Sequence, residues 1–443
     1  MATDKTPLPI PNQFGVPVGT AINQNGDFAF IGNDNNSLFF RAANSSSASL
    51  VLQAGDSVPG FPGSVLQSFW STLSLNSSRA LLFEATFSLP DGLSHAALLT
   101  FDGTNVRTII SSGDVAPGSG GGTYGTSIIP GSINDNGDID FGAVPTGKSA
   151  ITYFIVPAGG NAVRVLALDD APPAACTWCR ASFQDFLLGV PLSASSIAQS
   201  VPGLNSIGQM LIGYDGGLFI GSKDGLALVP RANSGGCSPP PAPAFQPVFY
   251  AAALNNLGVV AFVNTPMGFG NTLCIAPSIG GPPVAALTAG TAAPAAIGGT
   301  LASISVSAID DAGDILFSSQ ISGGATTYAL FRYHQSTGQI DLVAYNGEVV
   351  PGPNGATFAS PTFTAPVTSP STPPTILPLP AFNSISMAND GRVSFNVSLL
   401  QGGPAIYQQI GTAVPAQVIL FGQTALPAGG GILSPHLVLA RIL

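Results

Sequence analysis

The sequence predicts an all-β fold built from seven repeats of a four-stranded antiparallel unit. Two recurring signatures and the composition carry that prediction. Gly (54) and Pro (39) are abundant, and charged residues make up only 8% of the 443. Gly and Pro are the poorest helix formers, and the Lys and Glu that coat helices are scarce here, so a helical chain is excluded. Hydrophobic residues reach 45%, which excludes charge-driven disorder. The balance of 12 Lys+Arg against 22 Asp+Glu gives a net charge of −10, the wrong sign for nucleic-acid binding. No apolar run approaches the ~20 residues of a membrane helix.

The first signature is an apolar stretch, then Asn-x-x-Gly, then a strand that ends in Phe. The clearest copies are Asn23-Gln-Asn-Gly26-Asp-Phe-Ala-Phe30, Asn134-Asp-Asn-Gly137-Asp-Ile-Asp-Phe141 and Asn255-Asn-Leu-Gly258-Val-Val-Ala-Phe262. Asp310-Asp-Ala-Gly313 and Ala388-Asn-Asp-Gly391 change the first residue. Asn76-Ser-Ser-Arg79 and Asn205-Ser-Ile-Gly208 are degenerate. Asn-x-x-Gly between apolar runs reads as a tight hairpin, because Gly takes φ > 0 without cost and Asn hydrogen-bonds the turn. Alternating pairs such as Phe28/Phe30 and Ile315/Phe317 then read as half-buried strands. A third strand follows, as in Ser37–Arg41 or Tyr328–Arg332, and a fourth, as in Val106–Ile110 or Ile340–Val343.

The second signature, Gly-Asp-x-x-Pro-Gly, closes each unit. It is clear at Gly55-Asp56…Pro59-Gly60 and Gly113-Asp114…Pro117-Gly118, and weaker from Asp169, Gly236, Gly290, Gly347 and Gly422. It lies 28–34 residues beyond the first signature in every unit. Pro breaks the ladder there and the chain crosses to the next unit. Two connectors are longer, with insertions at 172–191 and 360–380; the second is rich in Pro, Ser and Thr and reads as an extended arm. Seven such units, with turns near 26, 79, 137, 208, 258, 313 and 391, follow the grammar of a single seven-bladed β-propeller spanning 1–443.

These quoted motifs resemble the Asn-x-x-Gly-x-x-Ala-Phe tandem-repeat family of bacterial surface and secreted proteins, from about residue 14 to the end. The resemblance implies an exported β-rich repeat protein and no catalytic residues.

The ends contain a surplus. Val16–Ile22 and Ile432–Leu443 are both suited to the innermost strand of the first blade. One reading closes the ring with the C-terminal strand and leaves the N-terminal segment beside it, with residues 1–15 as an arm. The other adds one terminus to a neighbouring subunit, which builds filaments. Cys176, Cys179, Cys237 and Cys274 are disulfide candidates, with three pairings open. The start, MATDKTPLPIPNQ, shows no basic segment leading into an apolar one.

Candidate chemistry is sparse. His95, His334 and His436 stand apart in sequence, and Asp169-Asp170 occupies a turn position. Asn134-Asp-Asn-Gly137-Asp138 matches the first half of a calcium loop, but Thr146 stands where the twelfth-position acid is needed; Asp310-Asp311…Asp314 is the other acidic turn. Calcium is therefore the one cofactor suggested, and no catalytic, cofactor-binding or metal residue is assigned. Gly118-Ser-Gly-Gly-Gly122 lacks the Lys-Ser/Thr of a phosphate loop, and no Gly-x-Ser-x-Gly occurs. Trp178, inside the first insertion, is the candidate recognition residue. The expectation is a non-catalytic extracellular or cell-surface structural protein whose partner is itself, in a polymer or surface layer. The alternatives are a lectin-like propeller that binds glycans or proteins, and a propeller hydrolase or lyase.

Overall fold

The computed structural model describes residues 19–170, 203–229, 237, 252–263, 271–277, 281–350, 357–359, 382–420 and 440–442, apart from a few loop positions within these spans. It contains thirty strands in seven sheets and no helix among these residues. The first blade holds β1 (Gly19–Ile22), β2 (Phe28–Gly32), β3 (Ser37–Arg41) and β4 (Ser49–Gln53). The second holds β5 (Val65–Phe69), β6 (Ser74–Leu75), β7 (Leu81–Ser88), β8 (Ser94–Phe101) and β9 (Val106–Ser111). The third holds β10 (Tyr124–Ile133), β11 (Ile139–Pro145), β12 (Thr152–Val156) and β13 (Val163–Ala167). The fourth holds β14 (Met210–Tyr214), β15 (Gly217–Ser222) and β16 (Gly225–Leu228), with a bridge from Leu204 to Met210 at the first-strand position. The fifth holds β17 (Ala252–Leu254), β18 (Val260–Val263), β19 (Thr272–Ala276) and β20 (Val284–Thr288). The sixth holds β21 (Thr300–Leu301), β22 (Ser305–Ile309), β23 (Ile315–Ser322), β24 (Tyr328–Tyr333) and β25 (Ile340–Tyr345). The seventh holds β26 (Phe382–Met387), β27 (Val393–Leu399), β28 (Gly403–Gln409) and β29 (Ala416–Leu420).

The last strand, β30 (Ala440–Ile442), returns to the first blade, which is ordered β30-β1-β2-β3-β4. It pairs in parallel with β1, Thr20 to Ala440 through Ile22 to Ile442, and also lies against β26 of the seventh blade. The two termini do not compete for one slot. The N-terminal strand takes the regular antiparallel place beside β2, and the C-terminal strand is the extra one at the inner edge.

Each hydrophobic cluster joins two consecutive blades. One unites Ala29, Ile31 and Phe40 with Leu66, Phe83 and Phe87 across blades one and two; five more do the same from blades two and three to blades six and seven. The recurrent Phe30, Phe83, Phe141, Phe262, Phe317 and Phe395 are all buried. The middle strands are not half-buried, as their alternation suggested. β12 and β24 are buried along their whole length, because a neighbouring blade covers each face of the sheet. Exposed residues return on the outer strands, such as β4 and β20, and at the start of first strands such as β5.

Candidate functional site

Antiparallel strands send successive connections to alternate ends of a blade. The Asn-x-x-Gly turns therefore share one rim with the third-to-fourth-strand turns. The Gly-Asp crossovers share the other rim with the second-to-third-strand turns.

On the turn rim, each Asn has two jobs. Its Oδ1 accepts the N–H groups inside its own turn: for Asn255, those of Leu257 at 3.0 Å and Val259 at 2.8 Å. Its Nδ2 donates to the carbonyl of the matching residue in the next blade. These links run Asn23 to Asn76 (2.8 Å), Asn76 to Asn134 (2.8 Å), Asn134 to Asn205 (2.8 Å), Asn205 to Asn255 (2.9 Å) and Asn255 to Asp310 (2.9 Å). In four of the turns the next residue adds a second row, in which its backbone N–H donates to a side chain one blade on. Ser77 reaches Asp135, Ser206 reaches Asn256, Asn256 reaches Asp311 and Asp311 reaches Asn389. Gly26, Gly137, Gly208, Gly258, Gly313 and Gly391 all adopt positive φ. In the second blade Arg79 takes φ 69° in place of Gly and pairs with the fully buried Asp27 at 3.1 Å. Burial alone would raise the Asp27 pKa; hydrogen bonds from Ala43, Asn23 and Arg79 overcome it and hold the carboxyl below its usual range.

Asp135 and Asp138, the calcium-like acids, accept protein N–H groups: those of Ser77, Asn134 and Ala158. No cluster of three metal-ligating side chains occurs among the described residues.

The belt changes at the sixth blade. Asp310 has no Nδ2 to pass on, and Ala388 has no polar side chain at all. Arg332 instead reaches the Gly391 carbonyl of the seventh blade. Beside it His334 sits between two carboxylates, Nδ1 at 2.6 Å from Asp314 and Nε2 at 3.0 Å from Asp341. Burial acts to lower the His334 pKa, but the Asp341 hydrogen bond and the Asp314 charge outweigh it and raise the value above 6.5. A raised folded pKa stabilises the fold fully below the unfolded value, and that contribution disappears as pH rises through the folded one. Melting of wild type and His334→Gln between pH 5 and 9 is expected to show this loss in wild type only; parallel curves would refute it.

On the crossover rim, the Gly-Asp dipeptide bonds the strand that opens the next blade. Gly113 N–H donates to the Tyr124 carbonyl, and Tyr124 N–H returns a bond to Asp114. The same pair joins Gly55-Asp56 to Leu66, Gly290-Thr291 to Leu301 and Gly347-Glu348 to Phe358. Leu66, Tyr124, Leu301 and Phe358 are buried plugs beneath these turns. The acid also caps its own turn: Asp114 Oδ2 accepts from Ser111 N at 2.7 Å, and Asp170 Oδ2 from Ala167 N at 2.8 Å.

Cys237, beyond β16, is bonded to Cys274 on β19, with Cα atoms 5.6 Å apart, so a disulfide ties blade four to blade five. The bond closes a separation of 37 residues. Replacing both cysteines with alanine is expected to cost about 4 kcal/mol on the chain-entropy model, measured by denaturant unfolding. Cys176, Cys179, Trp178, residues 1–15 and both insertions lie outside the described residues.

The crossover rim also carries a cavity of about 260 Å³ on the third blade. Pro117, Gly118 and Ser119 of the incoming crossover form one side, and Lys148, Thr152, Arg164 and Asp170 of the blade form the other. Arg164 is ion-paired to Asp170. Neither Lys148 nor Arg164 belongs to a motif in the sequence. The available signal was Arg164 itself, which stands six residues before the turn acid, where blade two has Thr108.

Seven sheets stacked in sequence and closed by a returning strand define a seven-bladed β-propeller. A model of a family of unknown function, DUF7453, matches residues 12–279 and again 212–411, and the chain belongs to that family. No curated protein matches it. Among solved structures it is similar to a streptogramin B lyase (14% identity, 88% of this chain and 92% of that one, TM-score 0.35). It is also similar to a fucose-specific lectin from Aleuria aurantia (11%, 93% and 97%, TM-score 0.29) and a puromycin hydrolase (14%, 82% and 55%, TM-score 0.38). No described helix is long and apolar enough to cross a membrane.

Proposed function

We propose that the protein is a non-catalytic, exported propeller that serves as a rigid scaffold, with its crossover rim as the recognition face. The observation that carries this reading is the turn belt. The repeated Asn side chains bond the backbone carbonyl of the next blade's turn, so the residues that recur from unit to unit have a structural task. Both insertions follow crossover turns in the sequence, on the opposite rim, where a rigid frame positions variable loops for binding. The Cys237–Cys274 disulfide supports an oxidising destination.

The test is to remove residues 172–191 and 360–380 together. The variant is expected to melt within a few degrees of wild type and to lose binding on glycan and protein arrays. A variant that fails to fold makes the insertions structural and overturns the reading.

A second reading, assembly into filaments by exchange of terminal strands, is favoured by the parallel pairing of β30 with β1, which seats a strand distant in sequence on the inner edge of the first blade. Negative-stain imaging separates the two. Single particles are expected; fibres lost on deleting residues 440–443 would establish exchange.

A further inference from the structure

We propose that the groove on the third blade binds a small carboxylate ligand, of the size of one acidic sugar, through Arg164 and Lys148. The blades supply their own control for this site. In the second blade the equivalent of Arg164 is Thr108, whose hydroxyl donates to the Pro59 carbonyl at 2.6 Å and ties the crossover down onto the strand. In the third blade no such tie exists among the described residues. An arginine stands there instead, and a cavity of about 260 Å³ opens between crossover and strand.

The arginine is held for binding. Its stem passes under Gly118, where a Cβ would fall 2.6 Å from Arg164 Cδ, so only glycine leaves that path open. One guanidinium nitrogen is anchored by Asp170 Oδ1, while the other Asp170 oxygen accepts the Ala167 N–H. Asp170 therefore orients the guanidinium and is itself engaged. Nε and Nη1 of Arg164 have no protein acceptor among the described residues, and its side chain is 30% exposed. Lys148, from the neighbouring turn, is exposed and forms no ion pair among the described residues. A planar carboxylate suits a guanidinium edge, and an ammonium supplies the second contact. The volume lies below the 300–1,000 Å³ of drug-sized sites, which limits the ligand to about a single ring. On a chain of net charge −10, two cations against the single Asp170 carboxylate leave this groove with a net positive charge.

The inference rests on the crossover rim being the recognition face, and the experiment separates the two. Galacturonate, inorganic phosphate and glucose are titrated into the full chain by calorimetry at low salt, alongside a glycan array bearing terminal acidic sugars. Galacturonate is expected to bind and glucose to be silent. Arg164→Thr, which installs the residue of blade two, is expected to weaken binding about tenfold with unchanged melting, and Lys148→Ala several-fold. Array binding that depends on Arg164 assigns the ligand to a glycan terminus; binding of the free acid alone assigns it to a soluble metabolite. Phosphate binding as tightly as galacturonate, or galacturonate binding indifferent to Arg164→Thr, overturns the carboxylate site. Array binding to neutral glycans that survives Arg164→Thr leaves the rim reading standing without this groove.

Discussion

Replacing Asn255 with alanine is expected to lower stability by roughly 2–4 kcal/mol, read as a shift in denaturant midpoint. The side chain is almost wholly buried and makes three hydrogen bonds, two within its turn and one to the Asp310 carbonyl of the next blade. Alanine removes all three and strands buried donors and an acceptor, which costs more than the bonds themselves contribute. Asn255→Asp separates the two tasks. It keeps the turn acceptor but sets a carboxylate oxygen against the Asp310 carbonyl in a buried site, so it should lose about as much as alanine. A much smaller loss for aspartate would show that the turn, not the belt, carries the energy; a negligible loss for alanine would remove the belt as a stabilising device.

The second large effect runs the other way. Glu84 on β7 is 2% exposed and lies opposite Leu98. One carboxyl oxygen accepts from Thr86 at 3.3 Å, and the other has no hydrogen-bond partner. Burial drives its pKa from 4.5 up to about 8, against weaker opposing hydrogen bonds. The unfolded chain ionises near pH 4.5 while the folded one holds its proton, so stability falls across pH 4.5 to 8 and levels off above. Glu84→Gln keeps the shape and abolishes the titration. It is expected to be neutral at pH 4.5 and to gain about 1–3 kcal/mol by pH 8.5, measured by guanidinium unfolding. No difference between the two pH values would mean the carboxyl is solvated.

Much of the architecture was legible because it depends on local chemistry. Gly26 or Gly313 announces a positive φ from its neighbours alone, and Gly113-Asp114 announces the crossover. The strands placed at Ser37–Arg41 and Val106–Ile110 follow from runs of apolar residues between such turns. The rest depends on what lies beside each blade. Nothing within Asn134-Asp-Asn-Gly137 indicates that its first side chain donates to residue 205, because that partner belongs to another repeat. Period-two alternation implied one wet face, yet Ser318 and Ser319 on β23 are both buried, each facing a different neighbouring blade. A single arginine such as Arg164 carries no motif. Its meaning comes only from Thr108 at the same place in the preceding unit.

The returning strand β30 bears on when the ring can exist. Its partners stand at positions 22 and 442, so the contact that completes the circle awaits the residues of all seven blades. Six blade interfaces can condense one after another as their residues emerge, each a short-range event. The seventh must wait, and loop closure over so long a chain is slow. Until then the first blade presents an unpaired inner edge, the kind of surface that recruits stray strands. The chain therefore passes through an open crescent, and the pairing of β30 with β1 converts it to a closed ring.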